Sequence, residues 1–364
     1  MRPIILIFFL FLTTTTFAQS KRLRDYNITI GILPPGKTNS ITDVTGVKVG
    51  HTTLNVGDSI HTGVTAIIPH GGNIFKEKVP AAIYIGNGFG KLAGYSQVKE
   101  LGNIETPIIL TNTLSVPVAS DALITYTLNL PGNENVRSVN SIVGETNDGY
   151  LNDIRGRHVK QQHVLDAITS ASTGPVQEGN VGAGTGTICF GYKGGIGTAS
   201  RVLPPQQGGY TVGVLVQTNF GGNLEIAGVP IQQALNNATK KSDGSCMTIV
   251  ITDAPIDSRN LERVAKRAFM GLAKTGGVAS NGSGDYVIAL SVAPQNFVKE
   301  GPTYKTEVIS NDNITPIFIA TIEATEEAII NSLFAAQTMT AKGGKKIEAL
   351  PVPQVIDVIK KYHR

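Results

Sequence analysis

The stretch Asp243-Gly244-Ser245-Cys246-Met247-Thr248-Ile249-Val250-Ile251-Thr252-Asp253-Ala254-Pro255 decides how the rest of the chain is read. Before it lies a polar run, Asn236 to Gly244, with little to bury. From Cys246 onward the residues are mostly apolar and partly β-branched. A loop therefore enters a buried strand, with Ser245 on the threshold. Gly244 has no Cβ and can take strained conformations closed to other residues. Read with no wider context, the same residues are a surface loop that happens to hold a serine.

Working outward, strand candidates surround this one. Asn39 to Thr53 alternates apolar and polar residues between glycine breaks, and Gly63 to Pro69, Ala81 to Ile85, Ile108 to Leu110, Tyr210 to Gln217 and Tyr286 to Ala293 read as strands. Gly86-Asn87-Gly88 reads as a turn. Helical spacing covers Ala119 to Leu128 and Val159 to Ser170, and is strongest over Ser258 to Lys274, where Leu261, Val264, Ala265, Ala268, Phe269 and Leu272 recur and Gly276-Gly277 closes the element. Glu323 to Gln337 reads as a further helix with Thr325 as its cap, and Ile356 to Tyr362 as a short last one. Helices packed on sheets make this an α/β layered sandwich.

The composition narrows the function. The chain has 364 residues with 41% hydrophobic and 16% charged, enough for one large core. The net charge of +4 is mild, and no basic stripe carries interleaved aromatics, which argues against nucleic acid as a partner. Six histidines form no His-x-x-x-His pair, and neither metal nor cofactor is expected. The two cysteines, Cys189 and Cys246, allow one disulfide but no scaffold. The glycine-rich run Gly182-Ala183-Gly184-Thr185-Gly186 lacks the lysine of a phosphate loop and reads as turns and close backbone packing.

At the N-terminus, Arg2 precedes the apolar run Pro3 to Leu12, and Thr16-Phe17-Ala18 resembles a small-residue cleavage site. Residues 1–18 read as a secretory signal with Gln19 as the mature start, the alternative being an uncleaved anchor. The expected location is periplasmic or secreted, with no membrane association after signal removal.

The motifs now combine. Ser245 followed by Thr252-Asp253-Ala254-Pro255 resembles the start of the β-subunit in a family of self-processing aminopeptidases, the L-aminopeptidase/D-esterase and β-aminopeptidase enzymes of the DmpA/BapA type. The same resemblance holds for GETNDGYLND (144–153), QTNFG (217–221) and NGSGD (281–285), and runs from Gly31 to Ala336. It implies a four-layer αββα sandwich, like that of N-terminal-nucleophile hydrolases but differently connected. It implies a single domain, residues 19–364, that cuts its own Gly244–Ser245 bond into α (19–244) and β (245–364) parts and assembles into a homo-oligomer. Short peptides or amino-acid amides, including those with an N-terminal β- or D-residue, are the implied substrates.

The resemblance also distributes roles. Ser245 becomes the nucleophile, Ser283 relays its proton, Asp285 orients the pair, Asn219 stabilises the oxyanion and Tyr150 assists there or at the substrate. Glu145 is the candidate anion for the substrate's free ammonium, with Asp148 able to do the same. Taken alone, Ser283 and Asp285 sit in a good turn, Asn219 in an Asn-Phe-Gly turn, and Tyr150 reads as a half-buried core residue. A serine hydroxyl needs a base. A freed α-amine, with an ordinary pKa of about 7.7–8.0, would lie one residue away. Cys246 is intrinsically the better nucleophile, but spacing to Thr252-Asp253-Ala254-Pro255 favours Ser245. Two other readings stand beside this one: an acyltransferase of the ornithine-acetyltransferase architecture, which uses threonine at the cut, and an inactive binding protein that keeps the fold.

Overall fold

The computed structural model describes residues 21–235, 244–299 and 301–362. The signal segment, Gln19 and residues 236–243 lie outside the described residues. Eleven strands form two large sheets: β1 (Lys48–Val56), β2 (Ile60–Ile68), β3 (Val79–Gly88), β4 (Leu92–Ala93), β5 (Asn103–Ile104), β6 (Ile108–Asn112), β7 (Ile142–Thr146), β8 (Ile196–Val202), β9 (Thr211–Asn219), β10 (Ser245–Thr252) and β11 (Gly284–Ser291). One sheet has the order β1-β2-β6-β7-β4, the other β8-β9-β10-β11-β3-β5. The principal helices are α1 (Val116–Leu128), α2 (Gln161–Thr169), α3 (Ser258–Lys274), α4 (Thr315–Ala335) and α5 (Val352–Tyr362).

Three apolar interfaces stack these elements into four layers. Val64, Ala66, Ile109 and Val143 of the five-stranded sheet meet Ala119, Leu123, Val164 and Ile168 of α1 and α2. Ile67, Ile108, Leu110 and Ile142 meet Leu215, Met247, Ile249, Ile251, Ile288 and Leu290 between the sheets. Val214, Val216, Val250, Val287 and Ala289 meet Leu261, Val264, Ala268, Ala324 and Ala328 of α3 and α4. The order is αββα, as the resemblance implied.

Strand β10 is central and buried at every position. Both its faces are covered, so its sequence reads as a continuous run rather than an alternation. Yet its residues do divide. Met247, Ile249 and Ile251 face the other sheet, whereas Cys246 and Val250 face the helices.

Three readings need correction. Gly86-Asn87-Gly88 is the end of β3 and not a turn, because Asn87 and Gly88 pair with Asp285 and Gly284. Thr325 caps nothing: α4 begins ten residues earlier at Thr315, with Pro316 in its first turn, and the Thr325 hydroxyl donates to the Thr321 carbonyl at 2.7 Å. Burial on almost every side hid this helix's true start from periodicity. No disulfide forms, since Cys189 and Cys246 are both buried free thiols. The glycine-rich run is close packing, as read: a Cβ on Gly184 would stand 2.4 Å from the Ile196 nitrogen.

Buried ions tie the N-terminal segment to this frame. Arg201 on β8 is fully buried and binds Glu323 and Glu327 of α4 at 3.0 and 2.6 Å. Arg24 reaches the same Glu327 at 2.6 Å, and the Ile32 N–H donates to Glu323 at 2.9 Å.

Candidate active site

The first residue of β10 is Ser245. It lies opposite Asn219, the last residue of antiparallel β9, and beside Gly284, the first residue of parallel β11. These three strand ends open onto a cavity of about 500 Å³ whose lining includes Gly244, Ser245, Asn219, Glu145, Tyr150 and Gly282. The sequence candidates from four distant segments thus meet at one end of the space between the sheets.

Ser245 is only 6% exposed. The Gly284 N–H donates both to its Oγ, at 3.2 Å, and to the Gly244 carbonyl, at 3.1 Å. Gly244 is needed here for space: a Cβ would stand 1.9 Å from the Asn219 carbonyl oxygen. The Asn219 side chain is fixed at both ends. Its Oδ1 accepts from the Ile188 N–H at 2.9 Å, and its Nδ2 donates to the Asn147 carbonyl at 3.0 Å. Being the end of a strand rather than part of a turn, it is held rigidly, and one amide hydrogen remains to serve a ligand.

Ser283 and Asp285 do not line the cavity. They stand directly behind it, 1% exposed each. Asp285 is in register with Cys246, so it lies on the helix-facing side of the sheet and not on that of Ser245. Among the described residues, the Ser283 hydroxyl and both Asp285 oxygens have no hydrogen-bond partner. Burial pushes the Asp285 carboxyl up to about 6; the neighbouring Ser283 hydroxyl and Cys246 N–H hold back part of that rise without closing a hydrogen bond in this geometry. Orphaned buried polar groups of this kind call for a missing partner.

Glu145 and Asp148 are separated by the structure. Glu145 lines the cavity; its Oε1 accepts from the Lys91 N–H at 2.9 Å and its Oε2 from the Thr113 hydroxyl. Burial raises its pKa above the ordinary range, and these two bonds oppose the rise. Asp148 is 1% exposed, does not line the cavity and accepts from Asn152 Nδ2 at 2.9 Å. Tyr150 is 52% exposed at the cavity edge rather than half-buried in a core, with Lys345 Nζ 5.0 Å above its ring.

Cys246 is the sequence's rival nucleophile. It is 1% exposed in the helix-facing core, and burial first, then the Asp285 carboxylate, raises its thiol well above the ordinary value. It offers no thiolate at neutral pH.

Sequence reasoning missed several participants. Asn87 Nδ2 donates to the carbonyls of Ser280 at 3.1 Å, Asn281 at 3.2 Å and Ser283, pinning the turn that carries Ser283. Phe89, 67% exposed, and Lys91 join the cavity wall. Their signal was present in Gly88-Phe89-Gly90, an aromatic that two glycines leave with little to pack against. No group of three or more candidate ligands that could hold a metal occurs among the described residues. Nor is any described helix long and apolar enough to cross a membrane.

Two facing sheets between helical layers, with a serine opening a central strand at the mouth of a cavity, define an Ntn-hydrolase-type αββα protein. Within that class, residues 39–347 match the model of peptidase family S58, and the chain belongs to that family. It is 41% identical to the beta-peptidyl aminopeptidase BapA of Sphingosinicella microcystinivorans, over 95% of this chain and 94% of that protein. The solved PH0078 protein of Pyrococcus horikoshii OT3 superposes with a TM-score of 0.90 at 48% identity, covering 94% of this chain and all of that one. The L-aminopeptidase D-Ala-esterase/amidase of Ochrobactrum anthropi, described as a prototype serine aminopeptidase and a variant of the Ntn-hydrolase fold, does so at 0.88 and 33%, covering 94% and 99%. The protein is a hydrolase of the aminopeptidase kind.

Proposed function

We propose that this chain is an exported serine aminopeptidase that activates itself by cutting Gly244–Ser245 and then releases N-terminal residues from short peptides and amides. The observation that carries this reading is the meeting of Ser245, Asn219 and Glu145 in one cavity.

In the uncut chain, Ser245 Oγ attacks the Gly244 carbonyl carbon, and the peptide nitrogen leaves as an amine after taking up a proton. The Gly284 N–H, already on that carbonyl oxygen, supports the developing negative charge. Water then hydrolyses the ester, leaving a Gly244 carboxylate and a free Ser245 hydroxyl. The new α-amine supplies what Ser283 and Asp285 lack. It gives the buried carboxylate a cationic partner and gives the hydroxyl a base.

For a substrate, Glu145 holds the free ammonium and Asn219 Nδ2 faces the acyl oxygen. The amine takes the hydroxyl proton as Oγ attacks, then passes it to the departing amine. Water cleaves the acyl-enzyme in a second step. Export rests on residues 1–18 alone. Acceptance of β- or D-residues rests on what the relatives are named for. Association of α/β pairs into a homo-oligomer belongs to the same reading.

A denaturing gel with mass spectrometry tests it. The wild type is expected as two fragments, the smaller beginning at Ser245, and Ser245→Ala as one intact chain without activity. A wild-type chain that stays whole yet cleaves amides would overturn the mechanism.

A further inference from the structure

We infer that Lys91 binds the C-terminal carboxylate of the substrate, so that free short peptides, and not blocked amides, are the preferred substrates. This rests on the aminopeptidase reading of the Ser245 cavity.

Charge in the cavity has a polarity. Glu145 is the only carboxylate among the lining residues and is buried, whereas Lys91, also in the lining, is exposed. The two are joined through the backbone, since the Lys91 N–H holds Glu145 Oε1 at 2.9 Å. The Lys91 side chain therefore starts where the Glu145 carboxylate ends. Its ammonium has no ion-pair partner among the described residues. Across the opening, Lys345 is also exposed; it donates to the Tyr150 carbonyl at 3.1 Å and sits over that residue's ring.

A negative interior with a positive lip complements a molecule whose ammonium enters and whose carboxylate stays outside. That is a zwitterionic peptide of a few residues. A longer peptide carries its carboxylate away from the lip. A blocked amide has a net positive charge and meets an unpaired cation without the group that would compensate it. The lip thus selects by repulsion as well as attraction. Because Lys91 is solvent-exposed, the discrimination is that of a surface ion pair, at most about fivefold.

The test uses the purified full-length protein and three substrates with one N-terminal residue in common: the free dipeptide, its C-terminal amide and the para-nitroanilide. The wild type is expected to favour the free dipeptide over the amide about fivefold in kcat/KM, through KM. That ratio is expected to shrink at high salt. Lys91→Met should bring it toward one, Lys91→Glu should invert it, and Lys91→Arg should keep it. A wild type without preference for the free dipeptide, or a ratio unmoved in Lys91→Met and Lys91→Glu, overturns the inference. Cleavage of none of the three substrates by wild type would instead sink the Ser245 reading, and this inference with it.

Discussion

A single amide hydrogen, that of Gly284, is shared between Ser245 Oγ and the carbonyl of the preceding residue. Its position is fixed by the parallel pairing of β10 with β11, so the bond before Ser245 enters the cavity already oriented. The first prediction concerns the space this leaves. Gly244→Ala would press a methyl group into the Asn219 backbone, where no flexible side chain can give way. Overpacking of this kind costs about 1–3 kcal/mol. The variant is expected to fold but to accumulate as the uncut chain on a denaturing gel. Rapid, complete cleavage would show that the strand entrance tolerates a shift.

Glu145 and Asn219 are expected to fail differently. Glu145→Gln removes the anion that meets the substrate's ammonium, so KM should rise about tenfold or more. The uncut chain presents no ammonium there, so self-cleavage should proceed. Asn219→Ala removes an oxyanion donor and should lower kcat about 10²–10³-fold. Steady-state kinetics beside a gel separates the two. A Glu145→Gln chain that remains uncut would remove the residue from substrate binding.

The buried carboxyls of Asp285 and Asp148 make the uncut protein sensitive to pH. Both have pKa values raised to about 6, from burial first. Between about pH 4 and 6 the folded chain holds protons that the unfolded chain has lost, so each site lowers stability as pH rises, by roughly 3 kcal/mol. His51 acts oppositely. Burial lowers it to about 4, so the unfolded chain binds the extra proton and stability rises over the same window. The net slope is therefore uninformative, and the difference between variants decides. In a Ser245→Ala background, Asp285→Asn should gain stability relative to its parent on going from pH 4 to pH 7, read by thermal melting. No relative change would mean that Asp285 already has a partner in the uncut chain.

Cys246 should be silent. With its thiol buried and its pKa raised, native protein is expected to leave it unlabelled by a thiol reagent until denatured. Cys246→Ala should still be cut before Ser245, as N-terminal sequencing would report. A cut displaced by one residue, or lost, would reopen the thiol's claim.

Arg201 is expected to matter for stability alone. Arg201→Leu leaves Glu323 and Glu327 without their fully buried partner, and removing one member of such a network costs about 3–5 kcal/mol. Chemical denaturation should show the loss. An unchanged midpoint would mean that Arg24 alone neutralises Glu327.

Much of this was legible in the sequence. The continuous apolar run after Ser245 required a strand covered on both faces, and Ser258–Lys274 announced its helix to the residue because one face alone is buried. The motifs around Glu145, Asn219, Ser245 and Ser283 named the site, since the residue types that chemistry needs stand next to glycines and turns.

Pairing register and side-chain direction, however, are properties of contacts between distant segments. Only these distinguished Glu145 from Asp148, sent Cys246 and Asp285 to the helix-facing side, and made Asn219 the rigid end of a strand. Only they brought Asn87, Phe89 and Lys91 to Ser245, from more than 150 residues away. Local sequence carries propensity and pattern, which fix what each segment becomes. Which atoms meet in a cavity depends on how two sheets stack, and no short stretch of chain encodes that.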